Sequence, residues 1–202
     1  MDRDIIKLDL VKTIMKSKLV SQIIRTLGNG RAQAVANDIL PFLAVDGSFL
    51  EIGAGTCQVT DLLRQSSMDV TPIDVKDYSV IDSIVPVIYD GDTLPFDDKK
   101  FDVAMLLNVL HHTKDPERVL KEAARVAKRV VIYEDVYKTT FQKLATFAMD
   151  SVTNFEFIGH PHSNKTDAGW REAFERLGYE VEEVRYKKFW RVFQNALYVV
   201  KT

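Results

Sequence analysis

The 202-residue chain has a single cysteine, Cys57, so no intrachain disulfide can staple the fold, and no Cys/His group has the spacing of a zinc site. No metal is expected, and the lone thiol favours a reducing compartment. No 18 apolar residues run together, and Met1-Asp2-Arg3-Asp4 leads into a segment with a charge every few positions. A membrane span and a secretory leader are therefore not expected, and the chain reads as cytoplasmic. It also lacks an excess of either charge: 27 Lys and Arg stand against 29 Asp and Glu, a net charge of -2. Binding to nucleic acid or anionic lipid would need a local patch. What remains is an ordinary globular composition, 46% hydrophobic and 28% charged, at a length that suits one core. Residues 1–202 are expected to form one domain.

Leu8, Val11, Met15, Leu19, Ile23 and Leu27 recur every three or four positions with lysines and Arg25 between them, which predicts one long amphipathic helix or two short ones. The basic face suits either solvent or a membrane-surface or partner contact, solvent being the commoner outcome. Gly28-Asn29-Gly30 is expected to end this helix, and a second pattern runs through Ala32, Val35, Ile39 and Leu40. Residues 1–45 thus read as a helical cap. From residue 46 strands and helices alternate: strands at 48–52, 70–73, 84–88, 101–107 and 130–133, helices at 58–64 and 116–126. The near-continuous apolar run Phe101–Leu107 is what a parallel sheet covered on both faces demands. A stretch at 138–165 interrupts the alternation, a helix follows at 168–177, and two alternating runs, 179–186 and 192–200, read as a closing hairpin. This is an α/β layered fold.

Phe49-Leu50-Glu51-Ile52 runs into Gly53-Ala54-Gly55-Thr56-Cys57 and then into a helix. Glycines in such a turn admit a ligand close to the backbone, and the bare amides at the helix start suit an anionic group. Alone, a G-x-G is weak evidence. Asp74 closes the second predicted strand 19 positions after Gly55, the separation at which doubly wound folds place a carboxylate on ribose hydroxyls. A third signal follows in Asp90-Gly91-Asp92-Thr93-Leu94-Pro95-Phe96, just before Phe101-Asp102.

Together these residues resemble the class I S-adenosylmethionine-dependent methyltransferases of the small-molecule type (methyltransferase type 11), with their pattern D-x-x-x-L-P-F-x-D-x-x-F-D running here from Asp90 to Asp102. The resemblance covers roughly residues 46 to 135. It implies a Rossmann-like, mostly parallel sheet of seven strands ending in an antiparallel hairpin, with S-adenosyl-L-methionine as cofactor. It further implies that Glu51 orients the glycine turn and the methionine amino group, that Gly53, Ala54 and Gly55 lie against the methionine end, and that Asp74, with Val75 beside it, holds the ribose. Asp90 and the Gly91 amide would meet the adenine, Leu94-Pro95-Phe96 would wall its slot, and Asn108 would contribute its backbone beside the methyl group. Cys57 departs from the pattern, standing where many members have a third glycine.

Methyl transfer from a sulfonium is a one-step in-line displacement, so the protein chiefly aligns donor and acceptor about 3 Å apart. A base is needed only for a protonated acceptor. The resemblance places His112 where members often carry histidine, and His160 lies in the 138–165 insertion, which is expected to cap the site; these two are the candidate bases, although packing explains a histidine as well. Phe141, Phe147, Phe155 and Phe157 either line an apolar acceptor pocket or pack in the core. Asn108-Val109-Leu110-His111 replaces the Asn-Pro-Pro-Tyr of enzymes that methylate exocyclic amines, and enzymes that attack pyrimidine carbon need a cysteine nucleophile at that level, whereas the only cysteine, Cys57, lies in the glycine turn. A dinucleotide oxidoreductase would want glycine where Gln58 stands. The run Arg185-Tyr186-Lys187-Lys188-Phe189-Trp190-Arg191 interleaves basic and aromatic residues and keeps an RNA methyltransferase in view, although hairpin alternation explains the same residues. A module that binds the cofactor without turnover is the other alternative. The expected partner is a small-molecule acceptor rather than nucleic acid; no motif sets its identity, the atom methylated or the oligomeric state.

Overall fold

The computed structural model describes residues 17–144, 163–189 and 193–202. They form helices α1 (Lys18–Ile39), α2 (Gln58–Gln65), α3 (Pro116–Val126) and α4 (Asp167–Arg176), and strands β1 (Ser48–Ile52), β2 (Asp69–Asp74), β3 (Val87–Ile88), β4 (Phe101–Leu107), β5 (Ala127–Val136), β6 (Glu180–Phe189) and β7 (Phe193–Lys201). The strand order of the sheet is β3-β2-β1-β4-β5-β7-β6, the expected Rossmann-like arrangement. β1 pairs parallel with β2, β2 with β3, and β4 with β5, whereas β5–β7 and β7–β6 are antiparallel. The closing hairpin is thus where the sequence pattern put it. The chain divides into two compact units, Met1–Gly91 and Asp92–Thr202.

In the first unit, Ser17 caps α1 by accepting from the Val20 amide at 3.3 Å, and the helix then runs through Gly28-Asn29-Gly30 without a break. The expected stop is therefore corrected: one helix spans what was read as two patterns. Gly28 answers to packing instead. A Cβ there would meet Gln58 Oε1 at 2.5 Å, because the Gln58 amide reaches across from α2 to donate to the Arg25 carbonyl at 2.9 Å. The third strand is also shorter than the expected 84–88. Pro86 has no N–H to give a ladder, and Ile81 and Ile84 turn inward to join Ala54, Cys57 and Val80 in a buried cluster.

In the second unit β4 and α3 occupy the expected residues. Asp115 caps α3 by accepting from the Arg118 amide, with Pro116 at its first position. β5 outgrows the predicted 130–133 because its antiparallel pairing with β7 continues from Arg129↔Lys201 to Val136↔Gln194. Trp170 and Phe174 of α4 are fully buried, and Phe174 packs edge-on against Tyr198 of β7. Of the 138–165 stretch, residues 140–144 are helical, with Phe141 and Leu144 exposed; Phe147, Phe155, Phe157, His160 and His162 lie outside the described residues. No helix among the described residues is long and apolar enough to cross a membrane.

Candidate active site

The glycine turn after β1 is built by backbone conformation and by two carboxylates. Gly53 (φ 72°), Gly55 (φ 51°) and Cys57 (φ 58°) are left-handed, so the chain reverses tightly between strand and helix. The amides of Gly53 and Ala54 both reach the Ile73 carbonyl, at 2.8 and 3.2 Å, which fixes the turn against the end of β2. There Asp74 is buried, and its Oδ2 accepts from the Gly55 amide at 2.8 Å while Oδ1 accepts from Val75 at 2.7 Å and Lys76 at 3.4 Å. Burial raises the Asp74 carboxyl above its usual range, and these three amides work against that rise. A carboxylate has about four acceptor positions, so capacity for a further donor remains.

Glu51, the last acidic group before the turn, is buried and accepts from the Thr60 hydroxyl of α2. Burial pushes its carboxyl up to about 7, against the opposing pull of that hydroxyl. A Cβ on Gly55 would meet nothing within 4 Å, so the turn has an open side. Val75 is half exposed, and a Cβ on Gly91 would come within 3.2 Å of Val75 Cγ1, which brings these two expected cofactor residues into contact. Asp90 is exposed on the surface. Burial drives the Cys57 thiol up to about 12, so at neutral pH it is a protonated, buried group rather than a nucleophile.

In the second unit, the Leu94-Pro95-Phe96 segment is clamped by α3. Glu122 Oε2 accepts from the Leu94 amide at 2.9 Å, and the Arg125 guanidinium donates to the Leu94 and Phe96 carbonyls at 2.9 and 2.8 Å. The Leu94 side chain is buried, and Phe96 packs edge-on against Phe101. At the end of β4, Asn108 is left-handed (φ 56°), and its amide donates to the Tyr133 carbonyl at 2.6 Å. A single 3-10 turn, Leu110–His112, follows.

That turn hangs on Glu134, an acidic residue near the C-terminal end of β5. Its Oε1 accepts from the Leu110 amide at 2.7 Å and its Oε2 lies 2.6 Å from His111 Nδ1, with the two side chains 0% and 1% exposed. The His112 ring lies 4.1 Å from the His111 ring, centroid to centroid, and is half buried. Neither Glu134 nor the pairing of His111 was anticipated from the sequence. A signal was present: Glu134 and Asp135 directly follow the apolar run Val130–Tyr133 inside one strand, where an unpaired buried charge would be untenable.

Residues 50–132 match the family described as a methyltransferase domain. Over those residues the chain carries a methyltransferase domain. Its fold is shared with a candidate methyltransferase of Haloferax volcanii solved in complex with the Trm112 methyltransferase activator: 18% identity over 92% of this chain and 97% of that one, TM-score 0.69. An S-adenosylmethionine-dependent methyltransferase from Methanosarcina mazei matches at 18% identity over 81% and 96%, TM-score 0.62. Magnesium protoporphyrin IX methyltransferase from Synechocystis, with bound S-adenosylhomocysteine, matches at 16% identity over 89% and 85%, TM-score 0.59. No curated protein matches the chain in sequence. The methyltransferase family is S-adenosylmethionine-dependent, and the turn fits that cofactor in three respects: the open side at Gly55, acceptor capacity left on Asp74, and a buried carboxyl at Glu51 suited to a cationic amine.

Proposed function

We propose that this methyltransferase, with residues 1–202 acting as one cytoplasmic domain, transfers a methyl group to a small-molecule acceptor. The bound cofactor supplies an electrophilic methyl on a sulfonium; the protein's part is to hold, align and exclude water. Glu51 would hold the methionine amine, the backbone of Gly53, Ala54 and Gly55 would admit the methionine end, and Asp74 with Val75 would hold the ribose. Asp90 and Gly91 would take the adenine, and the left-handed Asn108 would offer its backbone near the methyl. His112 is the proposed proton acceptor for a hydroxyl or amine, because it sits half buried on the turn that Glu134 and His111 fix; His160 is the second candidate.

The observation that carries the small-molecule reading is the burial of the polar groups around the turn after β4, where Asn108 Oδ1, His111 and Asn164 are all sequestered from the surface a macromolecule would need. The charge pattern of β6 supports it. Arg185 Nε donates to Glu183 at 2.6 Å, so one cation of the basic run described for RNA binding is paired within its own strand. Calorimetric titration with S-adenosylmethionine, S-adenosylhomocysteine and NAD tests the cofactor: micromolar binding of the first two and none of the third is expected. Release of S-adenosylhomocysteine in the presence of small acceptors tests the reaction, and methylation confined to RNA or protein would overturn the small-molecule reading.

A further inference from the structure

Several buried polar atoms of the second unit have no hydrogen-bond partner among the described residues: Asn108 Oδ1, both amide atoms of Asn164, and Trp170 Nε1. Asn164 is the extreme case. It is 7% exposed, and both the donor and the acceptor end of its carboxamide are left over.

Its position is nonetheless firmly set. The Tyr137 hydroxyl donates to the Asn164 carbonyl at 3.3 Å. Ser163, the residue before it, donates its hydroxyl to the Leu110 and Thr113 carbonyls at 2.9 and 3.1 Å and its amide to the His111 carbonyl at 3.2 Å. The chain entering α4 is thereby fastened to the turn after β4, and Asn164 follows the fastening directly. Native chains rarely bury an amide with neither end paired, since the group loses water and gains nothing in return; where one is kept, a ligand or an ordered water completes it.

We infer that the Asn164 carboxamide is the specificity-determining group for the methyl acceptor, and that the acceptor presents a hydrogen-bond donor and acceptor side by side on one planar edge, as a primary carboxamide or lactam does. A carboxamide pairs with such an edge through two parallel hydrogen bonds. A site built to satisfy both ends discriminates strongly against an analogue that lacks one of them, because the buried partner is then stranded. This inference rests on the methyltransferase reading and deepens it by naming the acceptor's recognised group.

Benzamide and acetophenone form a matched pair of probes, equal in shape but differing in the amide donor. Titrated into protein saturated with S-adenosylhomocysteine and followed by ligand-observed NMR, benzamide is expected to bind at least tenfold tighter than acetophenone. Asn164→Leu is expected to abolish that preference while leaving S-adenosylhomocysteine affinity within twofold, and to melt no lower than the parent, since it removes an unpaired amide. Equal binding of the two probes to the parent protein overturns the inference without recourse to any variant. A preference that survives Asn164→Leu, or an Asn164→Leu protein that melts well below the parent, also overturns it, the latter because the amide would then be serving the fold through ordered water. Failure of S-adenosylhomocysteine to bind the parent protein marks instead the failure of the underlying methyltransferase reading.

Discussion

The turn after β1 and the turn after β4 follow parallel strands of the same kind, yet they are held in opposite ways. The first is held by main-chain groups gathered on one carboxylate: Asp74 accepts from the amides of Gly55, Val75 and Lys76, and the left-handed residues 53, 55 and 57 do the rest. The second is held by side chains distant in sequence, with Glu134 reaching Leu110 and His111 across 24 and 23 residues and Ser163 reaching Leu110 across 53. In the first the two buried carboxylates have partners; in the second, Asn108 and Asn164 keep atoms unpaired among the described residues. On the proposed function, backbone geometry meets the cofactor and individual side chains meet the acceptor.

The largest expected effect tests how completely the second turn depends on one residue. Glu134→Ala leaves His111 and the Leu110 amide without their shared acceptor in a fully buried position, and breaking such a buried pair is disfavoured by about 3–5 kcal/mol. Urea denaturation measures this. A loss under about 1 kcal/mol would mean that the turn is held mainly by Ser163, and the contrast would weaken.

The next concerns Glu51. Its folded carboxyl titrates near 7 against an ordinary value of 4.5, so the folded state holds a proton that the unfolded chain has released between those values. Stability therefore falls as pH rises from 4.5 to 7 and stays low above it, by about 3 kcal/mol in all for this one group. Glu51→Gln should flatten that decline and be the more stable protein at pH 8. A cationic amine beside Glu51 pulls its titration down, so S-adenosylhomocysteine should bind the parent protein more tightly at pH 8 than at pH 6, and Glu51→Gln should lose that pH dependence. Calorimetry that finds pH-independent affinity for the parent would separate Glu51 from the cofactor.

Asp74→Ala removes the acceptor of the Gly55 and Val75 amides together with the proposed ribose contact, and should weaken S-adenosylhomocysteine binding by about 1–3 kcal/mol. Unchanged affinity would show that the glycine turn keeps its shape without the carboxylate and that Asp74 does not hold the ribose.

How much of each turn was legible follows from the same difference. The strand–glycine–helix order, the 19-residue step from Gly55 to Asp74 and the apolar run of β4 are local patterns, and the chain displays them within its first 107 residues. Gly28-Asn29-Gly30 misled because a glycine can mark close packing as well as a helix end; only the Gln58 side chain lying over Gly28 distinguishes the two. The 84–88 strand was overextended because the inward turn of Ile81 and Ile84 depends on a tertiary cluster. Glu134 and His111 acquire meaning only through partners in other elements, and Asn164 only through its burial, neither of which any periodicity in the sequence encodes.

Cys57 gives the finest test of the main-chain account. It is left-handed at φ 58°, a conformation that disfavours any residue with a Cβ by about 1–2 kcal/mol. Its buried thiol packs with Ala54, Val80, Ile81 and Ile84, which offsets some of that strain. Cys57→Ala removes the sulfur and keeps the strain, whereas Cys57→Gly removes both. Elsewhere alanine is the more stabilising of the two, because glycine gives the unfolded chain more freedom. Here Cys57→Gly should be the more stable variant, by about 1 kcal/mol in thermal unfolding, with S-adenosylhomocysteine affinity close to that of the parent. If Cys57→Ala melts higher, the left-handed backbone is not what shapes the turn, and packing of its side chains must be given the larger share.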